Sequence, residues 1–383
     1  MLLIAVALTL VLAGCDPDGS SGPVPGGSPA SGGSAVPFTA VELPTGSTPV
    51  ALAVAGDALL VGVRHDGQPV PGLLRRGSDG ATTEVPVRAA TPYGELAVWR
   101  SIASDGDRAV ALGGERGGAH GHVRWSVWSG SMAGLAEQRQ GFSVFGGYEI
   151  GDLVDMVLTP AGPVVVGAWA SARLGFDVAV WTVSGDTWTR QSSAGTALES
   201  TEQAQGFPMA ATASGQGILV AGWQVTHGAG AGGQQPVLWI SSSGATGWAK
   251  TVLPDAGRAG AAVAARCQGS VCGVAGWVDG SLAVWRSDGG AWSRLGGVPP
   301  VAVGDKDRLV APLEVGGRTV QVMSDGGQVK IASGDGGAWA VRAAARPSGT
   351  ATAAVVVGDT LYLLAGPDED SQRLWHADLA AIR

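Results

Sequence analysis

Residues 274–294, VAGWVDGSLAVWRSDGGAWSR, limit this chain more than any other stretch. Three short apolar runs, each carrying a tryptophan (Trp277, Trp285, Trp292), are separated by Asp-Gly and Gly-Gly pairs. Apolar residues that alternate with polar ones line one face of a strand, and Asp-Gly or Gly-Gly supplies the positive φ of a tight hairpin. The same grammar runs through the body, and no segment there keeps the 3.6-residue period of an amphipathic helix, so helices are not expected. Glycine accounts for 63 of the 383 residues and charged residues for only 15%, which suits many short strands and turns.

The pattern repeats. Strand-like segments marked by Leu74, Trp128, Trp181, Trp239, Trp285, Ile331 and Trp375 recur about every 50 residues, a period found in propeller blades. Each unit reads as four strands, and the 14 tryptophans are all expected on them. Their recurrence at matched positions points to packing between blades, because buried aromatics dominate the energetics of packed sheets. The last unit supplies three strands (350–357, 360–365 and 373–379), whereas residues 38–43, FTAVEL, form an orphan strand ahead of unit one. Pairing the two ends closes a ring and removes open sheet edges. The expectation is an all-β, seven-bladed β-propeller over residues 38–383, with six or eight blades as the alternatives because units one and six are degraded.

Loop lengths assign a working face. Links between the first and second strands, and between the third and fourth, are tight. Links between the second and third strands (63–72, 114–122, 170–177, 224–236, 366–372) and between blades (140–152, 192–207) are long. In a propeller both long classes emerge on one face, where long loops on a rigid scaffold carry binding. The candidate binding face comprises Tyr93, Phe142, Phe145, Tyr148, Glu149, Phe207 and His227, with acidic neighbours such as Asp152, Glu199 and Asp368-Glu369-Asp370. An aromatic and acidic surface suits a protein or glycan partner; the competing reading is that these aromatics plug gaps between blades.

The amino-terminal segment has a different character. Residues 1–14, MLLIAVALTLVLAG, are apolar but too short to span a bilayer, and Cys15 follows. Leu12-Ala13-Gly14-Cys15 resembles the lipobox of bacterial lipoproteins. That resemblance implies a signal peptide over 1–14, acylation of Cys15 (palmitate among the acyl groups) and a lipid anchor on the outer, extracytoplasmic side of the cell membrane. Residues 15–37 are dominated by Gly, Ser and Pro, a composition that makes a flexible tether.

Lys+Arg 24 against Asp+Glu 32 gives a net charge of −8, and with no basic block nucleic acid is not an expected partner. No phosphate-binding loop, nucleophile elbow or metal-ligand spacing occurs, so no cofactor and no metal are expected and no catalytic residue is named. His120 and His122 lack a third ligand, and Asp368-Glu369-Asp370 reads as a solvated turn. Cys267 and Cys272 flank a four-residue turn and would face each other across a hairpin, which predicts a disulfide in an oxidising compartment. Ser287–Trp292 and Ser333–Trp339 resemble degenerate Asp-boxes, the hairpin turns of sialidase-like propellers. That resemblance implies the fold, and as an alternative function a glycan-binding or glycan-hydrolysing propeller. The leading expectation is a tethered binding scaffold without a complete catalytic set.

Overall fold

The computed structural model describes residues 34–382 apart from 68–69, 118–120, 142, 147–150, 229–232 and 305–306. The signal-peptide and Cys15 readings, and most of the tether, lie outside the described residues. The described chain forms seven sheets, each built on an antiparallel meander; in the second, an extra edge strand, Val87–Arg88, pairs parallel to Gly134–Gln138. Blades 1 to 6 occupy 47–85, 98–138, 151–190, 204–252, 260–294 and 313–348. Blade 7 takes three strands from 350–378, and its outermost strand, Thr39–Ala40, comes from the other end of the chain. Thr39 pairs with His376 and Ala40 with Trp375, so the ring closes as the orphan strand predicts. The chain is a seven-bladed β-propeller.

All seven repeat markers lie on third strands. Trp128, Trp181, Trp239 and Trp285 are fully buried there. Their indole nitrogens need acceptors once desolvated, and two of them tie down links: Trp181 Nε1 donates to Val144 O at 2.8 Å and Trp285 Nε1 to Pro254 O at 2.8 Å. The described buried apolar residues fall into seven clusters, one at each seam between neighbouring blades. The seam between blades 5 and 6 is the thinnest, with Leu282, Val301, Val303, Met323 and Ala332 buried in it.

Three expectations need correction. The body begins earlier than residue 38: Val36 is 1% exposed and forms a parallel bridge with Ala344 of blade 6. Its amide donates to Ala343 O while its carbonyl accepts from Ala345 N, so the chain is anchored before it reaches blade 7. Trp292 lies just before the strand Ser293–Arg294 rather than on it. Helix is also present, as the turn Pro92–Glu95 between blades 1 and 2. Thr91 caps it by accepting from Gly94 N, proline opens it, and the buried Glu137 carboxylate accepts from Ala90 N, Thr91 N and Thr91 Oγ1. This partner lies more than forty residues away, which is why no local period announces the helix.

Candidate functional site

Six of the seven innermost strands carry a β-bulge at the same place. In blade 3, Leu153 pairs with Gly167 and Asp155 with Val166, leaving Val154 unpaired. The equivalent unpaired residues are Val50, Arg100, Met209, Val263 and Thr352. A bulge re-aims a side chain and bends its strand; here five of the six unpaired residues line the central cavity at the long-loop end of the ring. Blade 6 departs from the rule, because its inner strand is only Leu313–Val315; residues 307–309 of the preceding link line the cavity there instead.

The bulges explain a recurrent glycine on second strands. A Cβ on Gly167, Gly222 or Gly276 would fall 2.4, 2.2 and 1.9 Å from the carbonyl oxygens of Asp152, Phe207 and Ala261. Each of those carbonyls belongs to the residue two before the bulge, so the bulged strand approaches its neighbour where only glycine leaves room.

The cavity holds about 460 Å3. This mouth is lined by four arginines as well as by Glu115, Asp307 and Glu369; Arg64 and Arg116 stand at the ends of second strands, Arg100 on a bulge, and Arg308 on the link before blade 6. Two are held by the blade 7 loop. Arg64 Nη2 donates to Asp370 Oδ1 at 2.8 Å, and Arg308 pairs with Glu369. The triad is the solvated turn expected of it, with Asp368 accepting from Ser371 N, and two of its carboxylates also pair with mouth arginines. On the blade 2 side, Arg100 makes no hydrogen bond or ion pair among the described residues, and the Arg116 side chain bonds only Gly121 O, at 3.4 Å. Partial burial raises the Asp152 carboxyl above the usual carboxylate range, against the pull of Arg100 and Arg116.

Deeper in the channel, two charged groups stand in low dielectric. Water reaches part of each side chain, but protein surrounds both head groups. Asp155 follows the blade 3 bulge, and burial pushes its carboxyl up despite bonds from Ala211 N, the Ser101 hydroxyl and Met156 N. Arg266 reaches across to blade 7, where Nη2 donates to Ala354 O at 2.8 Å. Its Nε is buried without a partner, and burial pulls the guanidinium pKa down to about 10.

The aromatics expected on the binding face divide. Phe145 is only 4% exposed and packs against Trp181 and Trp188, so it plugs the seam between blades 2 and 3. Phe207 stacks on Trp223 with ring centroids 4.1 Å apart. Tyr93 is exposed on the helical turn and Arg124 lies over its ring. His227 is exposed, its amide bonded to Gln203 O. Phe142, Tyr148 and Glu149 lie outside the described residues, as does His120. Of the acidic neighbours, Asp177 and Glu199 serve the loop itself: Asp177 accepts from Ser200 N and Glu199 from Gly195 N. Tyr93 and Phe145 border a second cavity of about 500 Å3, beside blade 2. Cys267 and Cys272 are direct register partners and are joined by a disulfide. Among the described residues no cluster of three or more His, Cys, Asp or Glu has a metal-binding arrangement. Reading by residue type missed Arg64, Arg100, Arg116 and Arg308, which lie far apart in sequence; the glycines opposite the bulges were the available signal for Arg100.

No family model matches the chain, and no curated protein sequence matches it. Among solved structures it is similar to the polysaccharide lyase Uly1, at 11% identity over 87% of this chain and 90% of that one, with a TM-score of 0.51. It is also similar to the β-propeller domain of Myceliophteria thermophila Cps50 (Swd1), at 10% identity over 88% and 98% of the two chains, TM-score 0.53. A prolyl endopeptidase aligns at 13% identity and TM-score 0.53 over 88% of this chain, which spans about half of that enzyme (47%). At such identities the likeness is one of fold.

Proposed function

We propose that the chain is an exported, lipid-tethered propeller that binds a partner on its long-loop face. The observation that carries this reading is the arginine-lined mouth, which opens on the same face as the long links. The four exposed large hydrophobics among the described residues support it: Tyr93 and Leu96 lie on a link between blades, Met209 on a bulge, and Val252 at the link end of a fourth strand. Tethering rests on Leu12-Ala13-Gly14-Cys15 and on the Gly/Ser/Pro composition that follows; loss of palmitate labelling and of membrane fractionation in Cys15→Ser tests it.

The binding reading is tested by capture from detergent-solubilised envelopes with the full-length protein. One variant makes Tyr93, Leu96 and His227 serine. A second reverses Asp57, Asp107 and Asp186, which lie in tight turns on the opposite face. Loss of the captured partner from the first variant alone is expected. Loss from the second alone, or from neither, would sink the proposal.

The glycan reading draws on the same arginines. Among the described residues lining the mouth there is no tyrosine to act as a sialidase-type nucleophile; Tyr362 stacks on His376 within blade 7. Binding of a glycan is therefore the better-supported form of this alternative, and hydrolysis has no residue set.

A further inference from the structure

We infer that the mouth of the channel is a receptor for an acidic peptide segment, with Arg100 and Arg116 taking its carboxylates and Val50, Met209 and Val263 taking an adjacent apolar side chain. This rests on the long-loop-face reading and names the ligand chemistry of that site.

Of the four mouth arginines, Arg64 and Arg308 are neutralised by Asp370 and Glu369. Arg100 and Arg116 lack a direct ion pair among the described residues. They stand on one blade, at the start of its innermost strand and the end of its second. A guanidinium fork presents five donors in fixed geometry and matches a carboxylate in two-pronged fashion. Two such groups beside a concave, partly water-excluding surface make a stronger anion receptor than the same charges on open surface, because the local dielectric is lower.

The apolar part of the lining points to the class of ligand. The bulge residues Val50, Met209 and Val263, on blades 1, 4 and 5, add aliphatic contacts to a lining that also carries Glu115, Asp307, Thr352 and Gln372. Met209 is 43% exposed; an unbranched thioether adapts to varied apolar partners. Sugar rings seek flat exposed aromatics; of the two tryptophans at this cavity, Trp99 is buried, with its Nε1 bonded to Gly72 O at 2.6 Å, and Trp125 is half-buried. Guanidinium groups for a carboxylate, with aliphatic contacts in the same lining, describe a peptide that places Asp or Glu next to an apolar residue.

The test begins with phage-displayed random peptides selected on the full-length protein in detergent micelles. Selected peptides are then labelled and titrated by fluorescence anisotropy. The proteins compared are the native chain, Arg100→Glu/Arg116→Glu, the milder Arg100→Gln/Arg116→Gln, and Arg108→Glu at the start of the second strand of blade 2, on the opposite face. Selected peptides are expected to be enriched in Asp or Glu beside an apolar residue. Their dissociation constants should rise by at least about tenfold in the double Glu variant, by less in the double Gln variant, and not in Arg108→Glu. Raising salt from about 50 to about 500 mM should weaken them too. Neutral or basic peptides, no enrichment, or unchanged binding by a folded double variant would overturn the inference. Binding of oligogalacturonate through the same arginines, with no peptide selected, would overturn it in favour of an anionic glycan. If envelope capture depends on the long-loop face while acidic peptides fail, only the ligand class is wrong. If peptides bind through Arg100 and Arg116 while capture is independent of the face, the binding-scaffold reading is wrong and the receptor stands.

Discussion

Arg64 and Asp370 meet at 2.8 Å across the seam between the first and last blades, and on the same loop Glu369 holds Arg308. Both pairs are well exposed, and pairs of that kind contribute about 0–1 kcal/mol because water screens them and long side chains lose freedom. Their consequence is to neutralise half of the arginines at the mouth. Glu369→Gln/Asp370→Asn should therefore change unfolding free energy by less than about 1 kcal/mol while tightening binding of acidic peptides. Urea melts and anisotropy titrations of the same variant check both halves; weaker peptide binding would show that the blade 7 loop orders the site rather than masking it.

The glycines opposite the bulges should be among the least tolerant positions on second strands. Alanine at Gly276 places its Cβ 1.9 Å from Ala261 O, so either the bulge or the pairing must move. A loss of about 2–4 kcal/mol is expected, in the range of overpacked core sites. Gly280 is the control. It has positive φ (+77°) and open space around its Cβ position, so alanine there should cost only about 1–2 kcal/mol. Equal losses in denaturant melts would mean that the bulge is soft.

Blade number and ring closure were legible because they follow from local signals repeated seven times. Alternation marked the strands, Asp-Gly and Gly-Gly marked the hairpins, and Trp128, Trp181, Trp239 and Trp285 marked the third strands. The disulfide was legible because Cys267 and Cys272 share one hairpin. The site was not, since its parts carry no local signature: Arg64, Arg100, Arg116 and Arg308 converge only when the blades close into a ring. Residue type also misled. An aromatic on a link reads as a binding residue, yet Phe145 is spent on Trp181 and Trp188 at a seam. Asp368-Glu369-Asp370 is the solvated turn it reads as, but its pairing carries no local signal, because Arg64 and Arg308 lie 306 and 61 positions away from Asp370 and Glu369 respectively.

The Cys267–Cys272 bond closes a sequence separation of five residues. Loop-closure entropy for so short a ring amounts to about 2 kcal/mol. Cys267→Ser/Cys272→Ser, or reduction of the native protein, should lower stability by about that amount and leave the protein folded. The bond joins the inner two strands of blade 5, which borders the thinnest seam in the ring. Hydrogen exchange on reduction should therefore rise first in blades 5 and 6. A uniform rise around the ring would show that the blades unfold as one unit.

Asp155 gives the channel a pH signature. Burial raises its carboxyl above the value it has in the unfolded chain, even with bonds from Ala211 N, Ser101 and Met156 N and the charge of Arg100. The folded state then binds the proton more tightly than the unfolded state, so stability is greatest below the unfolded pKa of about 3.9 and falls as pH rises through the folded value. Asp155→Asn removes the charge but keeps an oxygen that can accept from Ala211 N and an amide that can donate to the Ser101 hydroxyl. The variant should therefore gain most over the native protein near neutral pH, and that gain should shrink towards about pH 4 as Asp155 takes up its proton. Denaturant melts of both proteins across this range measure the difference. A gain that grows towards acid would mean that the bonds to Ala211 and Ser101 outweigh burial, and that Asp155 stands in the channel as a stabilised carboxylate.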